Sequence, residues 1–180
     1  MSDEDRKKLL AFEEWVRAGR PPGADPSRPE SPAVAPLPQA AIAPSFIGSP
    51  LLRPLSKSGL RALKLTVQHY ELLAPFTFLS RAYGPITASK GFLTDFGSVP
   101  PWLHGVVDDD DPDLLYPSIP HDYLYSLRGQ LPDGRVFTRS QCDHILKEAM
   151  GCIGASAIKQ NIVFAAVELG GASHWDAPAA

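Results

Sequence analysis

Two short segments hold the residue types that do chemistry. Residues 94–101 read TDFGSVPP and residues 119–126 read IPHDYLYS. Each places an aspartate where a core or a turn has no need of one: Asp95 before Phe96-Gly97, and Asp122 beside His121 among apolar and aromatic residues. Consecutive helical side chains diverge by about 100°, so His121 and Asp122 must face different partners. Asp143 lies in CDHIL, on the next long helical pattern. Two antiparallel helices joined by a compact turn bring it opposite His121. An aspartate that accepts from one imidazole nitrogen fixes the tautomer and leaves the other nitrogen as a base. Asp95 and Asp122 are then spare carboxylates near the same place. Carboxylates and loop carbonyls suit Ca²⁺, and the Phe96-Gly97 turn can offer carbonyls because glycine allows close backbone approach. The chemistry implied is hydrolysis, with the base deprotonating water and a cation and loop N–H groups stabilising the developing oxyanion.

Structural readings stand beside these. His121-Asp122 can cap a helix and complement its dipole, and Asp95 can make an Asx-turn. Residues 108–111, DDDD, are a charge run of the kind that is ordinarily solvated, without the EF-hand spacing. His69 and His104 are isolated. His104, His121, Asp122 and Asp143 also fall in the order used by HD-type metal phosphohydrolases, but that fold is all-helical and this chain carries strand-like segments.

The elements that must position these residues make an α+β domain: a small antiparallel sheet, then a helical hairpin and a third helix. Residues 1–19 read as an amphipathic helix with Leu9, Phe12 and Val16 in one stripe. Residues 20–54 are rich in proline and alanine and read as a linker or extended arm. The globular domain is expected over 55–172, with a loose tail over 173–180. Within it, 61–67 and 70–79 are strand-like, with Pro75 marking an edge or bulge; 102–117 reads as a loop and 118–128 as a short helix. Asp133-Gly134 marks a polar turn. Thr138 starts the next helix with Gln141 completing a capping box, and a last helix ends at Gly170-Gly171.

Composition narrows the partners. Seventeen Lys and Arg against 20 Asp and Glu give a net charge of −3, which offers no support to a nucleic-acid binder. No apolar run approaches the roughly 20 residues that span a bilayer, and the charged amino terminus is unlike a secretory signal. Cys142 and Cys152, ten positions apart on one helix, stand about 15 Å apart along its axis. That exceeds the roughly 7 Å a disulfide tolerates, so both are expected as free thiols.

Residues from about 70 to 170 resemble an uncharacterised family of phage and prophage proteins that carry GFxTDFxSVP and then HDxLY. GFLTDFGSVP at 91–100 and HDYLY at 121–125 fit both motifs. HDYLY followed by CDHIL also resembles the catalytic helix pair of bacterial phospholipase A2 enzymes, and TDFGSVP their calcium loop. That resemblance implies His121 as the water-activating base, Asp143 as its orienting partner and Tyr125 as support for Asp143. It implies Asp122 as a bidentate calcium ligand, completed by Asp95 and the Phe96 carbonyl, and membrane phospholipid as substrate. The phage resemblance implies a virion-associated or tail protein, in the virion or host cytoplasm, meeting other phage structural proteins through its amino-terminal helix and arm. The alternative is a tail accessory protein that keeps the scaffold without turnover.

Overall fold

The computed structural model describes residue 35, residues 43–96 and residues 112–176. The expected amino-terminal helix, most of the arm, the GSVPP half of the first segment, Trp102, His104 and the DDDD run lie outside the described residues. The fold is α+β: two small antiparallel sheets of three strands each, followed by helices. One sheet has the order β1 (Ser45–Ile47), β4 (Phe76–Ser80), β5 (Gly84–Ala88); the other has β2 (Leu52–Pro54), β3 (Tyr70–Leu72), β6 (Leu93–Thr94). Among the described residues the helices are α1 (Lys57–Ala62), α2 (Pro112–Ser126), α3 (Arg139–Cys152), α4 (Ala157–Gly170) and α5 (Ala172–Asp176).

β4 and β5 alternate strictly, with Phe76, Phe78, Ser80, Gly84, Ile86 and Ala88 buried and the residues between them turned outward. That period of two is what a sheet covered on one face requires. Phe78, Ile86, Ile119, Leu124 and Ile145 are all fully buried in one core between this face and the helices; burial of each side chain is worth about 1.5–3 kcal/mol.

Several boundaries differ from the sequence expectation. The fold begins before residue 55: β1 pairs with β4 and β2 with β3. Phe46 on β1 stacks on Phe76 at 5.4 Å, and Pro54 is tolerated because it ends an edge strand. Residues 61–67 are not a strand; Ser56 caps α1 by accepting from the Gly59 N–H. Pro75 falls between β3 and β4. α2 starts at Pro112 rather than near 118 and contains Pro117 and Pro120, which remove N–H donors from its ladder but are themselves buried. The tail begins with a further turn of helix, α5, that buries Trp175. The Thr138–Gln141 capping box forms, and Cys142 and Cys152 are free thiols. Among the described residues no helix is long and apolar enough to cross a membrane.

Candidate functional site

α2 is the central helix. It packs against α3, β5, β6 and α5, and Ile119, Pro120, His121, Tyr123 and Leu124 along it are all buried. A helix enclosed on several sides sends even neighbouring side chains into protein. His121 therefore points at α3 and Asp122 at β6. The divergence expected for consecutive helical residues becomes two different partners.

On the α3 side, His121 Nε2 lies 3.1 Å from Asp143 Oδ1. Tyr125, one turn along α2, donates its hydroxyl to the same oxygen at 2.5 Å. The His121 and Tyr125 rings lie 4.3 Å apart, and Trp175 packs edge-on against Tyr125 at 5.1 Å. Asp143 is wholly buried. Its other oxygen, Oδ2, faces Arg139 Nη1 at 3.5 Å, and the same nitrogen donates to the backbone carbonyls of Val167 and Glu168 at the end of α4.

On the β6 side, Thr94 donates its hydroxyl to Asp122 Oδ2 at 2.6 Å and accepts from the Phe96 N–H at 3.0 Å. Thr94 is 1% exposed, so this hydroxyl is a fixed joint between the loop after β6 and α2. Asp122 Oδ1 lies 3.5 Å from His121 Nδ1. Both ring nitrogens thus face a carboxylate. Phe96 holds φ at +64°, a left-handed conformation that costs a non-glycine residue of order 1–3 kcal/mol.

Burial opposes a charge on the His121 ring. The hydrogen bonds and charges of Asp122 and Asp143 outweigh it and lift the imidazole to about 9. Burial pushes the Asp122 carboxyl above the usual carboxylate range; His121 and Thr94 pull it down, while the charge of Asp95 adds to the rise. The Tyr125 phenol is raised by burial and by Asp143, and so stays a donor.

The structure brings together His121, Asp122, Tyr125 and Asp143, and sets Asp95 near enough to Asp122 for their charges to interact. Three further contributors join the site. Thr94 lies within TDFGSVPP, and its place one residue before Asp95 is its only sequence signal. Arg139 sits at i−4 from Asp143, a spacing that pairs charges on a helix. Glu168 reads as an ordinary surface glutamate in an apolar run.

Asp95, Asp122 and the Phe96 carbonyl would offer an all-oxygen donor set, the chemistry a hard divalent cation selects. Mutual repulsion of the two carboxylates would be relieved by such a cation. Among the described residues no group of three His, Cys, Asp or Glu side chains could hold a metal ion. A cation here would take further ligands from backbone carbonyls, water or substrate.

No curated protein and no solved structure matches the chain. Residues 70–167, from β3 through most of α4 and including every site residue from Thr94 to Asp143, match one family over more than half of the chain; the chain belongs to that family, described as a protein of unknown function (DUF1353).

Proposed function

We propose that this chain is a phage virion-associated or prophage protein with a phospholipase A2-like, calcium-dependent ester hydrolase site, in which His121 activates water. The observation that carries the reading is the shared acceptor: Asp143 Oδ1 takes both His121 Nε2 and the Tyr125 hydroxyl. Asp143 orients the ring and stabilises the imidazolium formed when His121 removes a proton from water. His121 Nδ1 is the nitrogen left for that proton, on the side of Asp122. Asp122, Asp95 and the Phe96 carbonyl are the groups that would hold calcium. When bound, that ion supplies Lewis acidity toward an ester carbonyl and attraction for a phosphate. Membrane phospholipid is the proposed substrate class, and other phage structural proteins are the proposed partners through the amino-terminal segment.

The test is fatty-acid release from mixed phospholipid vesicles, with and without calcium, for wild type, His121→Ala and Asp143→Asn. Calcium-dependent release that disappears in His121→Ala and falls by about 10²–10⁴-fold in Asp143→Asn supports the reading. No release from any headgroup class, together with no calcium binding by calorimetry, rejects it.

One observation favours a second reading, a phage tail accessory domain without turnover. His121 is only 8% exposed and has a carboxylate at each nitrogen. A polar network closed in this way also serves as a keystone that fixes how α2 packs on α3 and β6.

A further inference from the structure

Glu168 takes no part in the chemistry proposed above, yet it is 9% exposed and its Oε1 has no hydrogen-bond partner. Among the described residues it is the one buried side-chain oxygen or nitrogen left in that state. It stands two residues before the end of α4, where the helix dipole disfavours a negative charge. Its carboxyl lies against Ser140 and Asp143 of α3. Arg139 aims Nη1 at Asp143 Oδ2 and at the carbonyls of Val167 and Glu168. Behind Asp143 stand His121 and Tyr125 of α2.

The neighbouring groups bear on the state of this carboxyl. Arg139 Nη1 is already shared among Asp143 Oδ2 and the Val167 and Glu168 carbonyls. An ionised Glu168 adds a buried negative charge with an unpaired oxygen, against a neighbouring carboxylate. Hydrogen-bond counting points the same way. A carboxylate offers about four acceptor positions. Asp143 Oδ1 receives two donors, while Oδ2 receives one from Arg139 at 3.5 Å. A proton on Glu168 supplies the missing donor and removes the excess charge. Burial and the charge of Asp143 push the Glu168 carboxyl upward, against the pull of Arg139 and Ser140.

We propose that Glu168 is a neutral carboxylic acid at neutral pH, that its O–H donates to Asp143, and that it is thereby a positioning residue for the His121–Asp143 pair. The value of that positioning to turnover rests on the hydrolase reading; the protonation and the hydrogen bond do not. The experiment therefore uses no turnover, only full-length wild type, Glu168→Gln and Glu168→Ala.

In the infrared difference spectrum between wild type and Glu168→Gln, a protonated-carboxyl stretch present in wild type at neutral pH is missing from the variant. In thermal unfolding, Glu168→Gln melts above wild type by a margin that grows as pH rises past about 4.3, the ordinary glutamate value, because only wild type must take up a proton to fold. The downfield Nε2–H proton resonance of His121 is kept in Glu168→Gln, whose amide still donates, and is shifted or lost in Glu168→Ala. A difference spectrum without the protonated-carboxyl band, or a Glu168→Gln protein that melts below wild type at neutral pH, shows an ionised Glu168 and overturns the proposal. An unchanged His121 resonance in Glu168→Ala overturns the positioning role, whatever the vesicle assay gives.

Discussion

His121 and Tyr125 stand one turn apart on α2 and converge on a single oxygen, Oδ1 of Asp143. The i, i+4 spacing stacks the two side chains on one face, and α3 presents Asp143 between them. The hydroxyl holds the carboxylate, and the carboxylate holds the ring. The HDxxY spacing is what this geometry demands.

Tyr125→Phe isolates the hydroxyl, since the ring still packs on His121 and Trp175. A hydrogen bond to a charged group is lost, so the variant is expected to unfold about 1.5–3 kcal/mol more easily. Urea denaturation with an unchanged m-value checks this. A loss under 0.5 kcal/mol, roughly the scatter for surface substitutions, would place the hydroxyl outside the network.

The titration of His121 links stability to pH. The folded-state imidazole is raised from 6.5 to about 9, so the stabilisation from its charge is complete below about 6.5. It is lost as pH rises from there through about 9, and amounts to a quantity on the order of 3 kcal/mol. Thermal unfolding between those limits should show the fall, and His121→Gln should lack it. If His121 is a base, turnover moves the opposite way, climbing up to tenfold per pH unit as the neutral ring becomes available. A flat rate profile across that window rules out this histidine as the base.

Thr94→Val keeps the shape of the residue but removes the hydroxyl shared by Asp122 and the Phe96 N–H. Both are left unsatisfied inside the protein, at a cost of roughly 1–3 kcal/mol. Thr94→Ser should recover most of it. A Val variant as stable as wild type, with the loss confined to Ser, would mean that the methyl group matters and the hydroxyl does not.

Gly171→Ala tests a steric requirement. The glycine has an ordinary φ of −71°, so no backbone conformation demands it. A Cβ there would stand 2.5 Å from the Val167 carbonyl oxygen and 2.6 Å from the Tyr125 hydroxyl. The expected result is a destabilisation of about 1–3 kcal/mol, with a change in near-ultraviolet circular dichroism as Tyr125 and Trp175 move. A variant as stable as wild type would show that the α4–α5 junction yields freely.

Much of the site was legible because its members lie on two helices with strong local signals. The capping box at Thr138 fixes where α3 starts and hence the face that carries Asp143. HDYLY sets His121 and Tyr125 on one face by spacing alone. Arg139, Glu168 and the Trp175 turn were less legible because each joins the site through tertiary packing of α4 and α5. The early strands were hidden for another reason. Three-residue edge strands set among Pro44, Pro50 and Pro54 look like an extended arm, and their pairing partners lie 16–34 residues on, too far for any local pattern to register. The start of α2 was obscured by its own prolines.

The family match begins at Tyr70, but β1 and β2 precede it and cover β4 and β3. A version of this chain cut at residue 70 would turn two interior strands into open edges at once, with unpaired N–H and C=O groups ready to recruit another copy. The stretch a sequence family recognises is therefore shorter than the unit whose inner strands are paired on both sides, and the residues from Ser45 to Pro54 act as its selvedge.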